Sequence, residues 1–333
     1  MPGSRIQKIV FHHHTGFSLW DMTDERVADV QRFFPDIDMV HAVNSEVLTG
    51  ELVEADVLCS MRITSPLFQS ARRLRWIHSP AAGIGGLMIP EVLNSDVLIT
   101  NGRGLFSVVM AEHTLGFILA CSRRFPDSYR FQAQHTWAQE LLWEKVPHMG
   151  EVRGKTLGLV GLGSIGQEIA KRARAFEMRI LAVKKDPSTG REFADEIFPV
   201  DQLHNLLRQS DFVVLAVPHT PETKHLIGEP ELAVMKHSAY LLNVGRGKLI
   251  DEAALIKALN RGQIAGAALD VFETEPLPLD SPLWNHLNVF ITPHSSACFP
   301  ESWGRSRDLI VENIRRFQTG EPLLNLIDKK KGY

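Results

Sequence analysis

Apolar residues fall in short runs that alternate with longer, helix-spaced patterns. Lys8 to Phe11 reads as a strand. Thr23 then opens a helix, with Asp24 and Glu25 in its first turn, that runs toward Phe33 and stops before Pro35. Val57 to Cys59, Leu74 to Ile77 and Val97 to Thr100 are further short apolar runs. Alternation of this kind predicts a parallel sheet with crossover helices. Ser107 to Arg124, SVVMAEHTLGFILACSRR, reads as one long helix, apolar on most sides, as suits a domain junction or a subunit interface. Phe131, Trp137 and Trp143 follow without a clear period, so residues 128–153 read as a connecting segment with helical pieces.

From Thr156 a second, cleaner series begins. LGLV, ending at Val160, is followed by a helix to Phe176 and then by RILAV (179–183), DFVVLAV (211–217), YLLNV (240–244), GAALDV (266–271) and VFIT (289–292). Near-continuous apolar strands are buried on both faces, as in a doubly wound parallel sheet. Glu301 to Phe317 is an amphipathic helix expected to return to the first domain, which makes that domain discontinuous.

Composition narrows the field. At roughly 150 residues per domain, 333 residues make two domains. A hydrophobic share of 44% and a charged share of 23% suit a globular chain, not a disordered one. Lys plus Arg number 36 against 39 Asp plus Glu, a formal charge of −3, which argues against nucleic acid as the main partner. Cys59, Cys121 and Cys298 are scattered with no CxxC pair, which excludes a disulfide scaffold and a thiolate zinc cluster and suggests a reducing compartment. No run approaches the 18 or so apolar residues of a membrane helix; the densest, Leu105 to Cys121, is broken by Glu112 and His113. The start, MPGSRIQKIVFHHH, lacks a signal peptide's apolar stretch, and a cytoplasmic location is expected. His12-His13-His14 sit on a strand end where successive side chains face opposite ways, so no metal site is expected there. Lys329-Lys330-Lys331 reads as a solvated end.

Gly161-Leu162-Gly163-Ser164-Ile165-Gly166 stands between a strand and a helix that opens near Ile165. In that setting the first glycine permits a tight turn and the second lets backbone approach a pyrophosphate. The third lets helix and strand pack closely, and amides around Ser164 and Ile165 meet phosphate oxygens. Lys184 lies 18 residues beyond Gly166, where an acidic residue would accept a ribose 2′-hydroxyl. A cation at Lys184, with Lys185 beside it, favours a 2′-phosphate and so NADP(H); NAD(H) remains open through Asp186. Arg246, Glu275 and His294 each follow an apolar strand of the second series, and ligands of open α/β sheets bind beyond the carboxyl ends of strands.

The motifs GLGSIG (161–166), AVPHTPET (216–223), NVGRGKLIDE (243–252), ALDVFETEP (268–276) and TPHSSA (292–297) resemble those of the D-isomer-specific 2-hydroxyacid dehydrogenase family, in order across residues 107–298. MAEHTLGFILA (110–120) is similar to that family's interdomain and dimer helix, and NLIDKKKGY to the ending of its glyoxylate/hydroxypyruvate reductase-like clan. The resemblance implies two Rossmann-like, flavodoxin-like parallel-sheet domains. A dinucleotide-binding domain (105–298, including helix 107–124) is inserted in a substrate domain (1–104 and 299–333).

It also implies roles. His294 would protonate the 2-keto oxygen; Glu275 would orient His294 and stabilise its charged form; Arg246 would bind the substrate carboxylate and polarise the keto group. Asp270 would meet the nicotinamide carboxamide. Val217, Pro218 and Thr223 would lie along adenosine and phosphates, with Val244, Gly245 and Ser296 beside the nicotinamide. Ala82 and Gly83, in Ser79-Pro80-Ala81-Ala82-Gly83-Ile84-Gly85, would offer amides to the carboxylate. Gly86-Leu87-Met88 replaces an Asp that many members carry, which puts that loop's geometry in question. Arg62 is a further substrate candidate, and Trp137 and Trp303 either wall the pocket or pack in the core. The expected function is an NADP(H)-preferring homodimeric reductase of small 2-ketoacids to D-2-hydroxy acids. The alternatives are an NAD-dependent enzyme for a bulkier substrate and a dinucleotide-sensing, corepressor-like binding protein.

Overall fold

The computed structural model describes residues 5–330, so Lys331 and the final two residues of the NLIDKKKGY ending lie outside it. The chain forms two compact units, one running to Phe106 and resuming at Cys298, the other Ser107–Ala297.

The first unit holds five parallel strands, β1 (Lys8–Phe11), β2 (Asp38–His41), β3 (Val57–Cys59), β4 (Trp76–Ser79) and β5 (Leu98–Asn101), ordered β2-β1-β3-β4-β5. Thr23 caps helix Asp24–Gln31 by accepting the Arg26 amide, and Asn44 caps Ser45–Leu52 by accepting that of Val47. The C-terminal helix Ser302–Thr319 buries Ile310, Val311, Ile314 and Phe317 against Ile9, Phe11 and Trp76.

Two expectations shift here. The strand expected at 74–77 begins at Trp76, because Leu74 turns back to Ala71 and both Arg75 and Trp76 donate to Asp56 O. β2 had no signal in the sequence, since this edge strand is only partly buried. Trp303 packs against the core with its indole N–H on Asp29, 2.9 Å. Trp137, by contrast, is 91% exposed and belongs to no core.

The second unit holds β6 (Thr156–Val160), β7 (Arg179–Val183), β8 (Glu196–Phe198), β9 (Phe212–Leu215), β10 (Tyr240–Asn243), β11 (Gly266–Leu269) and β12 (Val289–Ile291). Their order is β12-β11-β10-β9-β6-β7-β8, all parallel, a doubly wound sheet whose order reverses between β6 and β9. The short β8, with exposed Glu196, is the strand the sequence hid. The long helix is Ser107–Ser122, two residues shorter than expected: Arg124 is left-handed (φ 53°) and starts a separate helix, Phe125–Ala133. Gln139–Glu144 supplies the other helical piece of the connecting segment. Among the described residues no helix is long and apolar enough to cross a membrane.

Candidate active site

The glycine turn shows which of its members the fold itself requires. Gly161 has φ +103°, and a Cβ there would sit 2.7 Å from Ala216 O at the end of β9. A Cβ at Gly166 would lie 2.2 Å from Gly161 O. Gly163 differs: nothing lies within 4 Å of its notional Cβ, so no protein atom explains the missing side chain. The following helix starts at Ser164, one residue earlier than expected, with no side-chain cap, and its first-turn amides have no intrahelical acceptors. Open space over Gly163 beside those donors, at the switch point of the sheet, fits a dinucleotide pyrophosphate.

At the end of β7, Lys184 Nζ donates to Thr189 Oγ1 at 2.6 Å, which turns the ammonium toward the 186–190 loop. Asp186 is occupied locally, its Oδ1 accepting from the Ser188 amide at 3.0 Å. Val217 is partly buried on the large core, and Thr223 Oγ1 donates to Pro218 O at 2.8 Å, folding the 218–223 turn.

Arg246, Glu275 and His294 follow β10, β11 and β12 on one edge of the same sheet. His294 Nδ1 donates to Glu275 Oε2 at 2.6 Å, and Glu275 Oε1 accepts the Phe272 amide at 2.9 Å. Burial pushes the Glu275 carboxyl up. The hydrogen bonds from His294 and Phe272, with the charges of His294 and Arg246, outweigh it and hold the group below its ordinary range. Arg246 is exposed and its Nη1 donates to Gly245 O at 2.7 Å. Gly247 has no room for a side chain, because a Cβ would stand 1.8 Å from the Phe272 carbonyl carbon. The Arg246 turn is thereby pressed on the segment that holds Glu275. Gly247→Ala is expected to destabilise the protein by about 1–3 kcal/mol through overpacking and to lower kcat. An unchanged thermal midpoint would contradict this.

His294 adopts a left-handed backbone, φ 51°, a costly conformation for a non-glycine residue. What holds it there is Asp270, fully buried at the end of β11. Its carbonyl accepts the His294 amide at 2.8 Å, while its carboxylate takes the amides of Ser295 and Ser296 at 2.8 and 3.1 Å and the Thr292 hydroxyl at 2.6 Å. Val244 and Ser296 are also buried, 1% and 2% exposed. Thr292 was without a role in the sequence reading; its only signal there was its place in TPHSSA.

In the first unit, the loop after β4 is tied by Asn101 Nδ2 to Ala82 O (2.6 Å) and by the Gly102 amide to Ala81 O (3.0 Å). The amides of Ala82 and Gly83 carry no hydrogen bond within the described residues, and both residues are exposed. The departure at Gly86 has a steric reason: a Cβ there would meet Met61 O at 2.6 Å, where Gly86 O accepts the Ile63 amide. Arg62 is exposed beside this contact. His12, His14 and His41 rings lie near one another (5.5–5.6 Å between centroids), yet no metal-holding group occurs among the described residues.

Comparison with known proteins bears on the family. The family model described as D-isomer specific 2-hydroxyacid dehydrogenase, NAD binding domain, matches residues 115–296. A glyoxylate reductase of Korarchaeum cryptofilum is 36% identical over 295 residues, 86% of this chain and 87% of that one. One from Pyrococcus horikoshii is 39% identical over 293 residues, 86% of each. The D-isomer specific 2-hydroxyacid dehydrogenase of Xanthobacter autotrophicus Py2, solved with NADPH and MES, superposes with a TM-score of 0.85 at 30% identity, covering 99% of this chain and 100% of that one. The chain therefore belongs to the D-isomer-specific 2-hydroxyacid dehydrogenase family and is an NAD(P)-dependent oxidoreductase.

Proposed function

We propose that the protein is an NADP(H)-preferring reductase of small 2-ketoacids, of the glyoxylate or hydroxypyruvate type, yielding D-2-hydroxy acids. The observation that carries this reading is the 2.6 Å pair of His294 Nδ1 and Glu275 Oε2, set on the same sheet edge as Arg246. A bound nicotinamide dinucleotide would supply the hydride. Ser107–Ala297 is then the dinucleotide-binding domain, and the other unit the substrate domain.

Each residue's task follows from its surroundings. Glu275 engages Nδ1, which leaves Nε2 to pass a proton to the keto oxygen, and the carboxylate stabilises the imidazolium before transfer. Arg246 offers a planar fork to the substrate carboxylate and keto oxygen. In the other unit, the unengaged amides of Ala82 and Gly83 remain candidates for a substrate carboxylate on the family resemblance. Asp270 serves the nicotinamide carboxamide only through whatever lone-pair capacity its four protein contacts leave; Val244, Gly245 and Ser296 contribute shape. The exposed Tyr129, Trp137, Leu141, Trp143 and Val146 support a homodimer built on the segment after the long helix.

The coenzyme preference rests on Lys184, since Asp186 is already engaged by Ser188. Lys184→Asp is expected to move the ratio of kcat/KM for NADPH over NADH toward NADH by roughly tenfold or more, the size of a lost charge-assisted contact. An unchanged ratio would remove Lys184 from the 2′-phosphate site. The reading as a whole is tested by following absorbance at 340 nm with both coenzymes and a panel of small, branched and aryl 2-ketoacids. The highest kcat/KM is expected for the smallest substrates with NADPH; highest values for bulky ones would favour the wider-pocket alternative.

A further inference from the structure

We infer that His113, on the long helix, is a positioning residue for His294, acting through Thr292 and Asp270; this rests on the reading of His294 as the proton donor. The observation is a short chain of polar atoms behind the catalytic loop. His113 Nε2 lies 3.1 Å from Thr292 Oγ1, which lies 2.6 Å from Asp270 Oδ1. His113 Nε2 is itself 3.9 Å from that same carboxylate oxygen.

Donor counting fixes the direction of the chain. A threonine hydroxyl has one proton and an ionised carboxylate has none to give. At 2.6 Å the Thr292 proton belongs to the bond with Asp270, so Thr292 accepts from His113, and Nε2 carries the hydrogen. Burial pushes the His113 imidazole down, partly opposed by the Asp270 charge, so the ring is neutral near pH 7 with its hydrogen on Nε2. The ring has little freedom to leave, since it stands edge-on to Phe117 at 4.5 Å between centroids.

The consequence reaches the reacting group. Asp270 is fully buried, and a buried carboxylate is tolerated only when its oxygens are satisfied. Its remaining partners are the amides of Ser295 and Ser296, which directly follow His294. A carboxylate fixed by Thr292 and His113 from one side therefore fixes the loop on the other, and with it the left-handed His294. Without the His113 donor, the Thr292 oxygen loses the hydrogen bond that anchors it to the long helix, and the loop loses one of its constraints. A titratable residue interrupting an otherwise apolar helix was the signal in the sequence.

The test uses full-length protein in paired variants. His113→Phe keeps a ring against Phe117 and removes the N–H, whereas His113→Gln keeps a donor at similar reach. Thr292→Val and Thr292→Ser make the same contrast one atom further along. His113→Phe and Thr292→Val are expected to lower kcat roughly tenfold or more, with the ketoacid KM changed less than about threefold, as for misplaced catalytic geometry. His113→Gln and Thr292→Ser should restore most of it. Independently of turnover, the hydrogen-bonded His294 Nδ1 proton should give a downfield proton resonance, identified by its loss in Glu275→Gln. It should broaden or vanish in His113→Phe and persist in His113→Gln. Wild-type kcat with an unchanged resonance in His113→Phe would overturn the inference, as would equal loss in Phe and Gln variants. If the wild type turns over no 2-ketoacid, the functional reading fails, while the resonance still decides whether His113 positions the loop.

Discussion

Replacing His294 by alanine is expected to lower kcat by about 10²- to 10⁴-fold, the usual contribution of a positioned general acid, while dissociation of the dinucleotide changes little. The separation follows from the architecture. On the proposed reading the dinucleotide's phosphates would meet the helix start at Ser164 and the open space over Gly163, which follow β6, whereas His294 follows β12. Alanine keeps the left-handed backbone at 294, which the Asp270 carbonyl and the amides of Ser295 and Ser296 hold without the imidazole, so the variant should fold. Residual turnover should come from Arg246 and orientation alone. Steady-state kinetics with a fluorescence titration of NADPH measures both quantities. Loss of coenzyme binding in His294→Ala would mean that the residue holds the cofactor and does not transfer the proton.

Acidification should destabilise the first unit well above the range where carboxylates titrate. His78 is buried on β4, where its Nδ1 accepts from the Thr100 hydroxyl (2.8 Å) and its Nε2 has no partner among the described residues. His13 is likewise buried, with its Nδ1 unpartnered. Burial pushes both imidazoles down, His13 to about 4 and His78 to about 3. Between those values and the ordinary histidine value near 6.5, the unfolded chain binds protons that the folded one refuses. Stability is therefore full above pH 6.5 and falls as pH drops toward 4 and then 3. The slope approaches about 1.4 kcal/mol per pH unit for each histidine below pH 6, which integrates to about 3 kcal/mol for the pair between pH 6.5 and 5. Amide-exchange protection in β1 and β4, measured across that window, should fall accordingly, and His78→Gln should remove about half the slope. Protection independent of pH, or an unaltered slope in His78→Gln, would contradict the assignment.

What the sequence made legible was whatever needs a fixed local pattern. The seven-stranded sheet could be read because β6, β9, β10 and β11 are buried on both faces and spelled as unbroken apolar runs. The glycine turn was readable because two of its glycines are sterically compulsory. The edge strands β2 and β8 were not, since partial exposure breaks the run that would mark them. Trp137 illustrates the same limit from the other side, for nothing local distinguishes an indole at the surface from one in the core. At the site, Arg246, Glu275 and His294 stood out as charged or titratable residues after strands. Asp270 was legible as a cofactor candidate, but its link to Thr292 and His113 was not, because it joins positions up to 179 residues apart through side chains whose spacing has no period.

The most direct measurement is the product formed from hydroxypyruvate and NADPH. One NADPH should be oxidised per molecule of D-glycerate formed, with the rate collapsing in His294→Ala. Formation of the L-isomer, or no oxidation of either coenzyme with any 2-ketoacid, would contradict the proposed function.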